Sequence, residues 1–151
     1  MANTQGLANS FKTDLMNGVH AFSIATGGKA SADTFYGALF YATATLSSAT
    51  SAYTTTGEVA NSGSYTAGGQ AITNAIAPTN SGGTTYWTPS ASLSWTNVTI
   101  TAFDTLLIYN STVSGKNAVG VFTFASQSIT AGTFTLSMPI NNTTQALIRI
   151  A

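Results

Sequence analysis

Asp104-Thr-Leu-Leu-Ile-Tyr109, Asn110-Ser-Thr-Val-Ser-Gly115 and Ala118-Val-Gly-Val-Phe-Thr-Phe-Ala125 decide the fold class. The first piece puts Leu106 and Ile108 on one side and Leu107 and Tyr109 on the other. The last alternates Val119 and Val121 against Phe122 and Phe124. This is the two-residue period of extended chain. The polar stretch between them, ending in glycine, reads as a turn. The three pieces together read as two strands separated by a turn.

The same period recurs on either side. Phe35, Gly37, Leu39 and Tyr41 alternate with Tyr36, Ala38 and Phe40. Further strands are expected near 70–76, at Tyr86-Trp87, at 93–96, over 133–139 and at 146–150. Turn signals separate them: Ala67-Gly68-Gly69, Asn80-Ser-Gly-Gly83 and Ala131-Gly132. Pro89 limits the piece beginning at Tyr86 to an edge, an end or a bulge. About eight short strands with no helical period between them predict an all-β antiparallel sandwich of jelly-roll type, not βαβ units.

One segment departs from this pattern. Phe11, Leu15, Val19 and Phe22 recur at spacings of four, four and three, which is helical. A short helix is expected over roughly 10–17, with Ser10 as a cap and Asn17-Gly18 as its end. The Gly27-Gly28 stretch reads as a linker. The division is then an N-terminal arm with its helix over 1–33 and a β-sandwich over 34–151. The arm has two readings: its apolar stripe reaches a neighbouring molecule through Phe11, Leu15, Val19 and Phe22, or it folds back on its own sandwich.

Charge is the unusual feature of the composition. Asp, Glu, Lys and Arg make up 5% of the 151 residues, against roughly 25% in an average soluble protein, and the net charge is zero. Ser, Thr, Asn and Gly fill the polar positions. Such a surface has little self-repulsion and suits a molecule that lives inside an assembly. Four scattered cations speak against a nucleic-acid or anionic membrane partner. The opening residues lack a cationic stretch followed by an apolar one, so no signal peptide is expected.

Catalytic constellations are hard to find. His20 is the only histidine, and a helix continued through it would turn it outward, away from the apolar stripe. The acids Asp14, Asp33, Glu58 and Asp104 are far apart in sequence, and cysteine is absent. A zinc site or a short calcium loop has no ligand set, so no metal, cofactor or catalytic residue is expected. The Asn-x-Ser/Thr matches are what this composition produces by chance. Tyr86-Trp87, beside the loop 80–83, is the best local candidate for stacking on a sugar; the competing reading is that strand aromatics fill the core.

The chain resembles a family of small structural proteins of tailed-phage particles. The likeness rests on Ala8-Asn-Ser-Phe-Lys12 with Leu15 and Gly18, Asp33-Thr-Phe35 leading to Ala38-Leu39, and Ala52-Tyr-Thr54 with Thr56-Gly-Glu-Val59. It continues through Tyr65-Thr-Ala-Gly-Gly69, Leu107-Ile-Tyr-Asn-Ser-Thr112 and Gly115-Lys-Asn117 to Ala146-Leu-Ile-Arg-Ile-Ala151. The resemblance implies a jelly-roll-like capsid decoration, or cement, protein. Such a protein sits on the outside of the virion, binds the major capsid protein, works as a homodimer or homotrimer, and carries no catalytic residue. The alternative is a tail or tail-fibre module that binds a receptor or glycan.

Overall fold

Residues with apolar side chains on both faces need a layer on each side, and the chain supplies both. In the computed structural model, which describes residues 2–23, 29, 31–73 and 76–151, eight strands and one helix are formed among the described residues. In chain order these are β1 (Gly6–Leu7), α1 (Asn9–Met16), β2 (Phe35–Tyr41), β3 (Gln70–Ala71), β4 (Thr79–Ser81), β5 (Thr84–Trp87), β6 (Leu93–Asn110), β7 (Ala118–Leu136) and β8 (Ile148–Ile150). They build an antiparallel sandwich: a five-stranded sheet in the order β1-β7-β6-β2-β3 and a three-stranded sheet in the order β4-β5-β8. This five-plus-three division around one long hairpin gives no support to the finer jelly-roll designation.

β2 lies against β6 with Phe35 opposite Asn110 and Leu39 opposite Leu106. One face of this pair carries Phe35, which meets Trp87 of β5 at 6.2 Å between ring centres. Ile148 of β8 is the register partner of Trp87, so the small sheet closes this side. On the other face the cross-strand pair Tyr36 and Tyr109 is covered by Tyr53, which stacks on Tyr109 at 4.6 Å. The long connection between β2 and β3 also buries Ala44, Leu46, Val59 and Tyr65 in the core. Gly69 must be glycine in this connection: its φ is +78°, and a Cβ would lie 2.0 Å from the Gly37 carbonyl oxygen.

Four expected strands are in fact two. The pieces at 93–96 and 104–109 are one strand, β6, and those at 118–125 and 133–139 are one strand, β7. The reason is bulging. Trp95 faces Phe134 but Val98 faces Gly132, so three residues on β6 oppose two on β7. Between Val98 and Ile100 the extra residue falls on β7 instead. Asn97, Ala102 and Ala131 absorb the mismatch with φ of 54°, 50° and 47°. Each slip shifts the phase of the two-residue pattern, which in sequence looks like a strand end. The same bulges break the regularity of the outer edge of β7 beyond its pairing with β1.

The total of eight survives because two short strands, β1 and β4, have no apolar alternation and were not expected. Thr79–Ser81 pairs with Thr84–Trp87 across Gly82-Gly83, whose φ values of 57° and 82° suit a tight hairpin. The expected strand over 70–76 shrinks to Gln70–Ala71. Ile72 is buried and Ile76 is exposed, so the two do not share a face, and residues 74–75 lie outside the described residues. The expected Gly27-Gly28 linker also lies outside them.

The helix starts one residue earlier than expected. Ala8, not Ser10, is its N-cap, and no side chain caps it. Gly18, at φ 67°, ends the turn after the helix, as Asn17-Gly18 suggested.

Candidate functional site

The stripe Phe11, Leu15, Val19, Phe22 divides when placed in the fold. Phe11 is 0% exposed and Phe22 is 7% exposed, both within the chain's own core. Phe22 stacks on Phe35 at 4.5 Å and meets Trp87 edge-on at 4.9 Å; Phe11 meets Phe22 at 6.1 Å. Phe11 and Phe22 are therefore not contacts for a neighbour, and the segment carrying them folds back on its own sandwich. Two large aromatics would cost too much in water when an apolar slot beside Phe35 and Trp87 accepts them. Leu15 and Val19 remain half-buried at the surface.

Backbone pairing fixes the segment along its length. The Thr4 N–H donates to the Leu46 carbonyl, that of Ala8 to Val119 and that of Asn9 to Ser48. Asn3 donates from Nδ2 to the Tyr41 carbonyl and to Asp104 Oδ1, and accepts from the Leu46 N–H at Oδ1. A boundary at residue 33 therefore does not separate two packed bodies among the described residues.

A buried polar clamp locks the end of this segment to the β6–β7 turn. Asp33, 4% exposed, accepts at Oδ2 from the Ala21 N–H (2.8 Å), Asn110 Nδ2 (2.7 Å) and Lys29 Nζ (2.8 Å). Lys29 also donates to the Val19 carbonyl at 2.6 Å. Asn110 is wholly buried, and its second Nδ2 hydrogen goes to His20 Nδ1 at 3.1 Å. That bond makes Nδ1 the acceptor and places the ring hydrogen on Nε2. Nε2 lies 3.6 Å from Asp14 Oδ2, an electrostatic contact longer than a hydrogen bond. His20 is 7% exposed, so the outward position expected for it is wrong: the chain turns at Gly18 and carries the ring under the helix.

The titration of this clamp is predictable in sign. Burial holds His20 below its ordinary 6.5, although Asp14 and Asp33 pull the other way. The unfolded chain therefore takes up this proton first. The stability tied to neutral His20 is complete above about pH 6.5 and is lost as pH falls from there toward the lower folded value. Burial pushes the Asp33 carboxyl up, but bonds from Lys29, Ala21 N–H and Asn110 outweigh it and leave it below its ordinary 3.8. Its contribution is lost only below about pH 3.8. Urea unfolding midpoints should fall in two steps from pH 8 to pH 3, and His20→Gln should remove the upper step alone. Retention of both steps by that variant would refute the assignment.

A second cluster is built on Glu58. Its carboxylate accepts from the Tyr53 hydroxyl (2.6 Å), the Tyr65 hydroxyl (2.9 Å) and the Gly68 N–H (2.6 Å). Tyr109 donates to the Gly68 carbonyl at 2.7 Å. Burial, with the Glu58 charge and Tyr36 adding to it, pushes the Tyr109 hydroxyl up to about 12. Burial and Glu58 raise Tyr53 and Tyr65 as well, so all three remain proton donors at neutral pH.

The aromatic pair offered for sugar stacking does not form a two-ring surface platform: Tyr86 is half-buried and Trp87 lies in the core. Trp87 is 2% exposed and donates from Nε1 to the Ile76 carbonyl. Trp95 is as deeply buried and stacks on Phe134. The apolar depression beside Trp87, lined also by Phe11, Leu15 and Ile148, holds about 70 Å³. That is well below the roughly 300 Å³ at which small-molecule pockets begin.

All four carboxylates are engaged inside the fold. Asp14 accepts from Asn117 Nδ2, Asp104 from Asn3 and from the Thr105 hydroxyl, and Asp33 and Glu58 as described. Among the described residues no three of His, Asp and Glu gather as a metal-holding group. These engagements join residues up to 103 positions apart, and sequence spacing carried no signal of them. No family model, curated protein or solved structure matches the chain.

Proposed function

We propose that this chain is a non-enzymatic structural subunit of a tailed-phage particle, a decoration protein on the outside of the capsid. Its partner is the major capsid protein, and it acts as a homodimer or homotrimer. The observation that carries this reading is the distribution of charge. Every carboxylate is committed to an internal bond, while the outward residues of β6 and β7 are uncharged, among them Ser94, Thr96, Thr99, Thr101, Ser126, Gln127, Ser128, Thr133 and Thr135. A broad hydroxyl and amide surface offers hydrogen bonds to a protein lattice without the cost of burying charge. The likeness of the sequence to small phage structural proteins supports the same reading.

Stabilisation follows from mass action. A protein that binds the assembled shell and not its free subunits favours the assembled state, and many copies on one lattice multiply a modest contact. The purified chain, mixed with shells of the particle that encodes it, should co-sediment with assembled shells, leave free subunits unbound, and raise the temperature at which shells come apart. Because few charges are exposed, affinity should change less than about tenfold between ~0.05 and ~0.5 M salt. A chain that leaves shells undecorated and their disruption temperature unmoved does not have this function.

A further inference from the structure

Two of the four cations are brought together by the fold. Of the four cations, Lys29 is bound to Asp33 and Lys116 lies over the Tyr53 ring, with Nζ 5.0 Å from its centre. The other two, Lys12 of α1 and Arg149 of β8, are exposed and form no ion pair with the described residues. They are 137 positions apart in sequence, yet both line the same groove, a volume of about 710 Å³ between α1 and β8. Two exposed cations without an ion-pair partner among the described residues thus stand in one groove.

The same groove displays apolar surface. Met16 is 90% exposed and Ile150 is 42% exposed, and Leu15 and Leu7 form the walls. Arg149 and Leu7 continue into a second hollow of about 360 Å³, beside Phe122, Ala146 and Leu147. β8 pairs with β5 on one side only, so its other edge is an open strand edge among the described residues. An exposed edge, apolar walls and two free cations together specify an occupant.

We infer that the groove between α1 and β8 docks an extended peptide segment of a partner protein, apolar in alternate positions and bearing carboxylates that meet Lys12 and Arg149. The open edge of β8 favours a peptide over a lipid surface, since only a peptide backbone completes its hydrogen bonds. A second copy of this chain is disfavoured by charge, because its four carboxylates already serve as internal acceptors. Under the function proposed above, the segment belongs to the capsid subunit; the docking chemistry itself does not require that reading.

The probe is a random peptide library displayed on a carrier and selected against the immobilised full chain. The selected peptides should alternate apolar and acidic residues. Titrated into the isotope-labelled chain, they should shift the amide resonances of Leu15, Met16, Arg149 and Ile150. The double charge reversal Lys12→Glu with Arg149→Glu, both at exposed positions, should weaken these peptides by about a hundredfold, two ion pairs at roughly tenfold each, and should select basic peptides instead. Peptides without acids, shifts elsewhere, unchanged affinity in the double variant, or binding only to vesicles of phosphatidylglycerol would each overturn the inference. The two proposals fail separately: wild type that ignores shells sinks the capsid role alone, and unchanged peptide affinity in the double variant sinks the groove alone.

Discussion

Asp33→Ala is expected to destabilise the protein by about 3–5 kcal/mol, close to the loss seen when one partner of a buried charge network is removed. The carboxylate is nearly inaccessible and serves three donors at once. Without it the Ala21 N–H and one Asn110 Nδ2 hydrogen are left buried and unpaired, at about 1–3 kcal/mol each. The Lys29 side chain is 30% exposed and turns to water, so its share is small. Asn110 is wholly buried and has no such escape. It also holds His20 and accepts the Thr112 N–H, so losing its anchor loosens the β6–β7 turn as well as the N-terminal segment. Lys29→Met should cost less, about 1–3 kcal/mol: the buried carboxylate loses its counter-charge but keeps the Ala21 and Asn110 donors. Equilibrium urea unfolding at pH 7 measures both. An Asp33→Ala loss below 1 kcal/mol, or a Lys29→Met loss as large as that of Asp33→Ala, would show that the clamp is not organised around the carboxylate.

The contrast between what could and could not be read from sequence has a physical basis. β2 and the halves of β6 and β7 next to their turn carry apolar residues on both faces, so their apolar runs announced them. The turn at Gly82-Gly83 was visible as a loop because positive φ at two successive residues needs that chemistry, but the strand Thr79–Ser81 before it was not. The full length of β6 and β7 was hidden by the bulges at Asn97, Ala102 and Ala131: alanine rarely adopts positive φ, and a single asparagine inside a strand gives no sign of which turn or bulge it serves. The clamp was hidden by distance: His20 and Asn110 are 90 residues apart, and Asp33 and Asn110 are 77 apart. A lone histidine, an aspartate and an asparagine, each next to an apolar run, look like loop residues until the sheet brings them together. The arm shows the limit of periodicity. It marked the right apolar face, Phe11, Leu15 and Phe22, but periodicity does not say whose core the face enters.

That ambiguity makes removal of residues 2–22 the change with the largest expected effect: the remaining chain should fail to fold cooperatively. The deletion strips Phe11 and Phe22 from the core and uncovers Phe35 and Trp87, which they cover. Truncating one buried phenylalanine to alanine costs about 3–5 kcal/mol. Two such losses, with β1 and the Asn3 bonds gone and Asn110 deprived of His20, consume most of the roughly 5–15 kcal/mol that stabilises a typical domain. The single variant Phe11→Ala should fold with a loss of about 3–4 kcal/mol. Phe11→Leu, which keeps most of the volume, should lose less than about 1.5 kcal/mol. Thermal unfolding followed by near-ultraviolet circular dichroism reports all three, since Trp87 stands in the affected cluster. A truncated chain with a sharp transition within a few degrees of the full-length protein would mean that the sandwich stands without its N-terminal segment and that Phe11 and Phe22 are free to serve a neighbour. If the truncation unfolds as expected, its failure to bind shells carries no information about contact. Contact is then tested by surface substitutions that leave the core intact, at Lys12, Met16 and Arg149.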